Sequence, residues 1–222
     1  MKTTRLLFND EMARAIVEGR KTVTRRPIVD AAGCYPPDHA AFYEYHWSVP
    51  AACFSVPSFK PGVHWSARMP CAPGDLLIGR ECWRAFGGIS DVRVDYRADG
   101  GRMVIGRESE TVAGAHVHYL PDVSKYEASG NRWRPSSRMP DWAARIRRRV
   151  VSVTVERVQD ITEDDAVREG FGMGVVENYS TTARDNFSAA WESIYAAKGL
   201  GWNANPWVWR IEFSAENMEG EL

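Results

Sequence analysis

The sequence predicts an α+β domain built on a mostly antiparallel, barrel-like β-sheet with flanking helices and two long insertions. Three observations carry that reading. Strand-like runs occur at both ends and in the middle of the chain, only three segments have helical spacing, and the regular β-α alternation of a parallel doubly wound sheet is missing. With 222 residues, 44% of them hydrophobic, the chain is long enough to bury one full core. Residues 1–214 are assigned to a single domain, interrupted by insertions at about 28–70 and 84–131.

Residues 4–8 read as an entry strand. Asn9 then caps a helix whose first turn carries Asp10 and Glu11, as the helix dipole prefers, and Gly19 is a natural stop. Residues 22–26 favour a strand, with Thr22, Thr24 and Arg26 on one side and Val23 and Arg25 on the other. From 27 to 70 prolines and aromatics abound without a sustained period, so this stretch is read as an irregular insertion packed on the core. PGDLLIGRECW, residues 73–83, restarts regular structure: a turn feeds a strand whose apolar start, Leu76 to Ile78, points to a central position. VRVDY, MVI and AHVHYL, within 92–119, read as added hairpins.

VVSVTVERV alternates as a long half-buried strand ending near Val158. Thr162 and Asp165 have capping-box spacing and open a two-turn helix that Gly170 stops. Glu169 sits in its last turn, where the dipole disfavours a carboxylate. A longer helix at about 183–198 places Phe187, Ala190, Trp191 and Ile194 at core-facing spacing, and these aromatics are read as packing. In the closing strand PWVWRIEF, Trp207, Trp209, Ile211 and Phe213 share a face, and the acidic tail 215–222 is expected to fray.

Lys and Arg number 28 against 29 Asp and Glu, so a net charge of -1 gives no global attraction to nucleic acid, and any such binding must come from a local patch. Two segments qualify. In EGRKTVTRR, Glu18 to Arg26, a helix exit releases a titratable amine (Lys21), two hydroxyls (Thr22, Thr24) and guanidinium forks (Arg25, Arg26) that suit an anion or a polar heterocycle. The same residues also serve to cap helix carbonyls. From Arg132 to Arg149, seven arginines face one acid, Asp141, and are interleaved with Trp133 and Trp142. That composition suits phosphate tracking and base stacking, and equally a solvated strand face over core tryptophans. Leu6, Leu7 and Phe8 are too short a run for a signal-peptide core and no stretch could span a bilayer, so a cytoplasmic protein without a membrane partner is expected. Cys34, Cys53, Cys71 and Cys82 lack C-x-x-C spacing and the histidines form no ligand pair, so no metal or other cofactor is expected.

EGRKTVTRR after a helix, PGDLLIGRE, WRPSSRMPDWAARI before the long strand, DITEDDAVREGF and GWNANPWVWRIEF together resemble the ASCH domains, a branch of the PUA-like β-barrels, in their longer phage and prophage versions. The resemblance implies a small barrel with a cleft between the first helix and the short helix around residue 165. It implies a ligand drawn from RNA, nucleotides or modified nucleosides, in the cytoplasm of a bacterial host. Some small ASCH proteins are amidohydrolases that remove the acetyl group of N4-acetylcytidine with a lysine and a threonine of a G-[RK]-K-T-x-T motif and a later glutamate. The matching positions are Lys21, Thr24 and Glu169.

Two role assignments fit the chemistry. Lys21 with a lowered pKa acts as base or nucleophile, or it stays charged and holds the oxyanion while Glu169 is the base and Thr24 positions the acyl oxygen or water. Arg20, Thr22, Arg25 and Arg26 are candidate substrate contacts. Glu81 is either a cleft carboxylate or a buried partner for an arginine, and Arg132, Trp133, Arg134 and Arg138 are candidate nucleic-acid contacts. Strict alternation would send Lys21 and Thr24 to opposite faces, so a shared site requires Lys21 to precede the pleat. The competing readings are a non-catalytic RNA-binding module and a metal-independent ribonuclease, the latter weakened by the lack of a histidine pair.

Overall fold

A computed structural model describes residues 1–29, 51–55, 64–87, 91–106, 132–176 and 179–218. The chain enters through β1 (Thr3–Leu7), α1 (Asp10–Val17) and β2 (Val23–Pro27). A ribbon follows, β3 (Ala51–Ser55) with β4 (His64–Arg68), then β5 (Leu76–Arg80), β6 (Trp83–Gly87), β7 (Asp91–Tyr96) and β8 (Arg102–Gly106). The last third holds β9 (Ile146–Arg157), α2 (Glu163–Arg168), β10 (Gly174–Val176), β11 (Tyr179–Thr181), α3 (Ala183–Tyr195) and β12 (Trp207–Phe213).

The central sheet has the order β1-β5-β9-β12-β2; β1 and β5 run parallel and the other neighbours antiparallel. The α+β, mostly antiparallel expectation therefore holds, and the barrel does not. Among the described residues the sheet stays open, with β1 and β2 as its edges. A side chain closes the seam instead of a backbone ladder: the Arg26 guanidinium donates to the Leu7 carbonyl at 2.8 Å and stacks over Phe8 at 5.3 Å. No helix is long and apolar enough to cross a membrane among these residues.

Alternation along β5 explains how the core divides. Leu77 faces one cluster with Ala13 and Ile16 of α1 and with Val150, Val153, Trp209, Ile211 and Phe213. Leu76 and Ile78, pointing the other way, join Trp83, Val94 and Tyr96 of the antiparallel sheet β6-β7-β8. A strand covered on both faces needs the unbroken apolar run that its sequence carries. Gly79 is required there, because a Cβ would lie 2.6 Å from Ile146 Cγ2. A third cluster packs Phe187, Trp191 and Tyr195 of α3 against Ala166, Val158 and Val208.

Helix ends follow the sequence closely. The Asn9 side chain accepts from the Met12 amide at 2.8 Å and Gly19 takes φ +75°; Thr162 and Thr182 cap α2 and α3. Elsewhere the structure departs from expectation. The first insertion contains the β3-β4 ribbon, whereas the AHVHYL run lies outside the described residues. The arginine-rich approach to β9 is two 3-10 turns, Ser136–Arg138 and Asp141–Ala143. The tail is held as far as Met218: Asn217 accepts from the Arg147 amide at 2.8 Å and donates to the Arg145 carbonyl at 2.9 Å, and the Met218 amide donates to Arg147.

Candidate functional site

Lys21 follows α1 and precedes β2, so its side chain is not bound by the strand's alternation. Its amide donates to Ala15 at 2.9 Å, and the next amide, Thr22, donates to the Arg168 carbonyl at 2.9 Å. The first folds the exit back onto α1, and the second ties it to the end of α2. Gly170 makes the approach possible: it takes φ +97°, and a Cβ there would sit 2.9 Å from Ala15 Cβ and 3.3 Å from Lys21 Cβ. Glu169, one residue earlier, is thereby delivered to Lys21.

The two side chains meet in the interior. Lys21 Nζ donates to the Glu169 carboxylate, to the Val23 carbonyl at 2.8 Å and to the Glu169 carbonyl at 2.9 Å. An ammonium has three donors, and here each has an acceptor. Lys21 is 1% exposed and Glu169 2%. Burial lowers the proton affinity of the Lys21 amine, and the adjoining carboxylate opposes that shift.

Arg25, also buried, anchors the surroundings. It reaches Glu156 at 2.6 Å, Asp165 at 2.7 Å and the second oxygen of Glu169 at 3.3 Å. Arg210 binds Asp165 at 2.9 Å and Glu212 at 3.3 Å, and Arg168 pairs with Glu212. Lys21, Arg25, Arg168 and Arg210 thus balance Glu156, Asp165, Glu169 and Glu212 in one network. Burial works to raise both Asp165 and Glu156. Hydrogen bonds from Arg210 and Arg25 outweigh it at Asp165, which is lowered, whereas Glu156 remains raised despite Arg25.

Beside this network a narrow cleft of about 20 Å³ opens at the seam of the sheet. Thr24, Arg25, Arg26 and Glu169 form its polar floor, and Met12, Phe171, Trp191 and Tyr195 are among its apolar walls. The cleft continues past Glu11, Ala15 and Gly170 along α1. Lys21 does not line it and lies behind Glu169. The Thr24 hydroxyl makes no hydrogen bond among the described residues.

Of the residues singled out in the sequence, Lys21, Thr24, Arg25, Arg26 and Glu169 therefore assemble at one place. The others do not. Thr22 receives the Arg168 guanidinium at 3.4 Å, and Arg20 is exposed, paired with Glu18 and bonded to the Gly170 carbonyl at 3.2 Å. Glu81 is a correction to the cleft-carboxylate reading: it is fully buried, and both its oxygens accept from Arg145, at 2.9 and 3.0 Å. Arg132 and Arg138 are exposed, while Trp133 and Arg134 line a separate cleft. The arginine-rich segment is not one binding face, because Arg145 is engaged with Glu81 and Asp99, Arg147 with the Asp141 carbonyl, and Arg148 with the Ile16 carbonyl.

Sequence reasoning missed the role of α3. Phe187, Trp191, Ile194 and Tyr195 wall the cleft as well as packing the third core cluster. A wide aromatic stripe on a helix gives the same periodicity whether it faces a core or a cavity. Among the described residues no group of three or more His, Cys, Asp or Glu could hold a metal ion. Cys71 and Cys82 are buried free thiols, the former pushed up to about 12 by burial. Compared with protein-family models, curated proteins and solved structures, the chain matches none.

Proposed function

We propose that this chain is an ASCH-type, PUA-like protein whose seam cleft binds a modified nucleobase and hydrolyses its N-acyl group, as in N4-acetylcytidine. One observation carries the proposal: a buried Lys21–Glu169 pair whose carboxylate lines an aromatic-walled cleft beside the Thr24 hydroxyl, which makes no hydrogen bond among the described residues. Aromatic walls suit the face of a heterocycle, and a few fixed polar groups suit its edge.

In this reading Glu169 is the general base. It takes a proton from a water, whose oxygen forms a bond to the acyl carbon. The resulting oxyanion is stabilised by the Thr24 hydroxyl and the Arg26 guanidinium. Collapse breaks the carbon–nitrogen bond, the proton passes from Glu169 to the departing exocyclic amine of the base, and a carboxylic acid and the free nucleoside leave. Lys21 and Arg25 are positioning residues that hold the carboxylate in place. Lys21 is not the nucleophile, because its donors are all engaged and it stands behind the carboxylate.

A chromatographic assay for cytidine released from N4-acetylcytidine tests this. Wild type is expected to turn over, and Lys21→Ala and Glu169→Gln to lose turnover. A well-folded wild type without turnover would overturn the proposal.

A further inference from the structure

A second cleft, of about 300 Å³, lies on the other side of the α1 entrance. That volume stands at the lower end of the range of small-molecule sites, roughly 300–1,000 Å³. Trp133 forms part of its wall and is 39% exposed, while the Arg84 guanidinium stacks on the indole at 4.5 Å. Arg134 is fixed beside it by paired backbone bonds with Trp83, at 2.8 and 3.2 Å. Arg97 also lines the cleft; its Nε donates to Asp10 at 2.6 Å and its terminal nitrogens make no other hydrogen bond among the described residues. Asp10 Oδ1 is buried with no hydrogen-bond partner among the described residues. A half-open indole beside arginines is the chemistry that stacks a base and holds its phosphate.

This cleft is joined to the Glu169 cleft in two ways. Asn9 lines both, and its side-chain amide nitrogen makes no hydrogen bond among the described residues. Phe8 lines the second cleft while Arg26, stacked on it at 5.3 Å, lines the first. We infer that the Trp133 cleft holds the nucleotide next to the modified one in a single-stranded RNA, so that a strand is a better substrate than the free nucleoside. The inference rests on the hydrolytic reading of the Glu169 cleft. It assigns stacking to Trp133, phosphate contact to Arg97, and a bridging hydrogen bond to Asn9.

The test uses a fluorescein-labelled single-stranded RNA hexamer with one internal N4-acetylcytidine, read by anisotropy and by product chromatography. Wild type should favour the hexamer over the free nucleoside in kcat/KM by at least about tenfold, and Trp133→Ala should cut hexamer affinity and that preference about tenfold. Trp133→Phe keeps a stacking ring and should restore most of both, which separates stacking from a folding defect. Arg97→Ala should flatten the dependence of log affinity on log salt by about 0.7, one phosphate contact on a single strand. Hexamer binding and preference equal to wild type in both alanine variants would overturn the inference, as would turnover of the nucleoside with no binding of the hexamer. Hexamer binding that depends on Trp133 without any hydrolysis would support the nucleotide subsite and overturn the hydrolase.

Discussion

Glu81 and Glu169 are both buried, both paired with a cation, and both visible in the sequence, yet of the two only Glu169 lines the clefts described above. Glu81 is held fork to fork by Arg145, which also binds Asp99 at 2.9 Å and stacks over Tyr96 at 4.1 Å. Burial raises its proton affinity and Arg145 opposes that. Such a bidentate pair saturates the carboxylate and belongs to the scaffold. Glu169 instead meets a point charge at one oxygen and a longer contact of 3.3 Å from Arg25 at the other. Its carboxylate keeps acceptor capacity on the cleft side. A buried ion pair is therefore no mark of a site; what distinguishes the two is how much of the carboxylate the partner leaves unused.

The largest effect expected from breaking this comparison is on stability. Lys21→Met removes one partner of a buried pair and should cost about 3–5 kcal/mol, read as a shift of the urea midpoint. The double variant Lys21→Met with Glu169→Leu should recover most of that loss, since an apolar replacement of a whole pair is close to neutral. Thr24→Val, which keeps shape and removes the hydroxyl, should lower kcat about 10²-fold with little change in stability. Gly170→Ala forces a side chain into φ +97° and against Ala15, and should cost about 1–3 kcal/mol while misplacing Glu169. A thermal melt and a kcat measurement read the two consequences separately.

The smallest effect concerns a surface pair. Arg5, with Arg80, holds Asp141 down to about 2, below its ordinary value. A depressed carboxylate contributes stability that is fully present above the unfolded pKa, near 3.9, and is lost as pH falls through the folded one. Asp141 and Arg5 are both more than a third exposed on their outer side, so screening limits the contribution to under about 1 kcal/mol. Urea midpoints of wild type and Asp141→Asn should differ slightly at pH 7 and converge toward pH 2.

What was legible in the sequence was local. Asn9 before an acidic first turn, Gly19 and Gly170 after the last turns, and the alternation of β9 and β12 are written in neighbouring residues, and the structure follows them. The meeting of Lys21 with Glu169 came from a family resemblance, because no periodicity links residues so far apart. Three features stayed hidden. The parallel β1–β5 pairing and the open seam depend on which edges meet across the fold. The fate of Arg145, Arg147 and Arg148 depends on acceptors such as Glu81 and the Ile16 carbonyl, far away in sequence. The third is the wall of α3, where Trp191 reads as packing until the cavity beside it is seen.

The most direct test of the central claim is the turnover of N4-acetylcytidine by Glu169→Gln against Glu81→Gln, each normalised to its folded fraction. A fall of about 10²–10⁴-fold is expected in the first variant, the usual loss on removing a general base, and a rate within about twofold of wild type in the second. Equal rates in the two variants would contradict that claim.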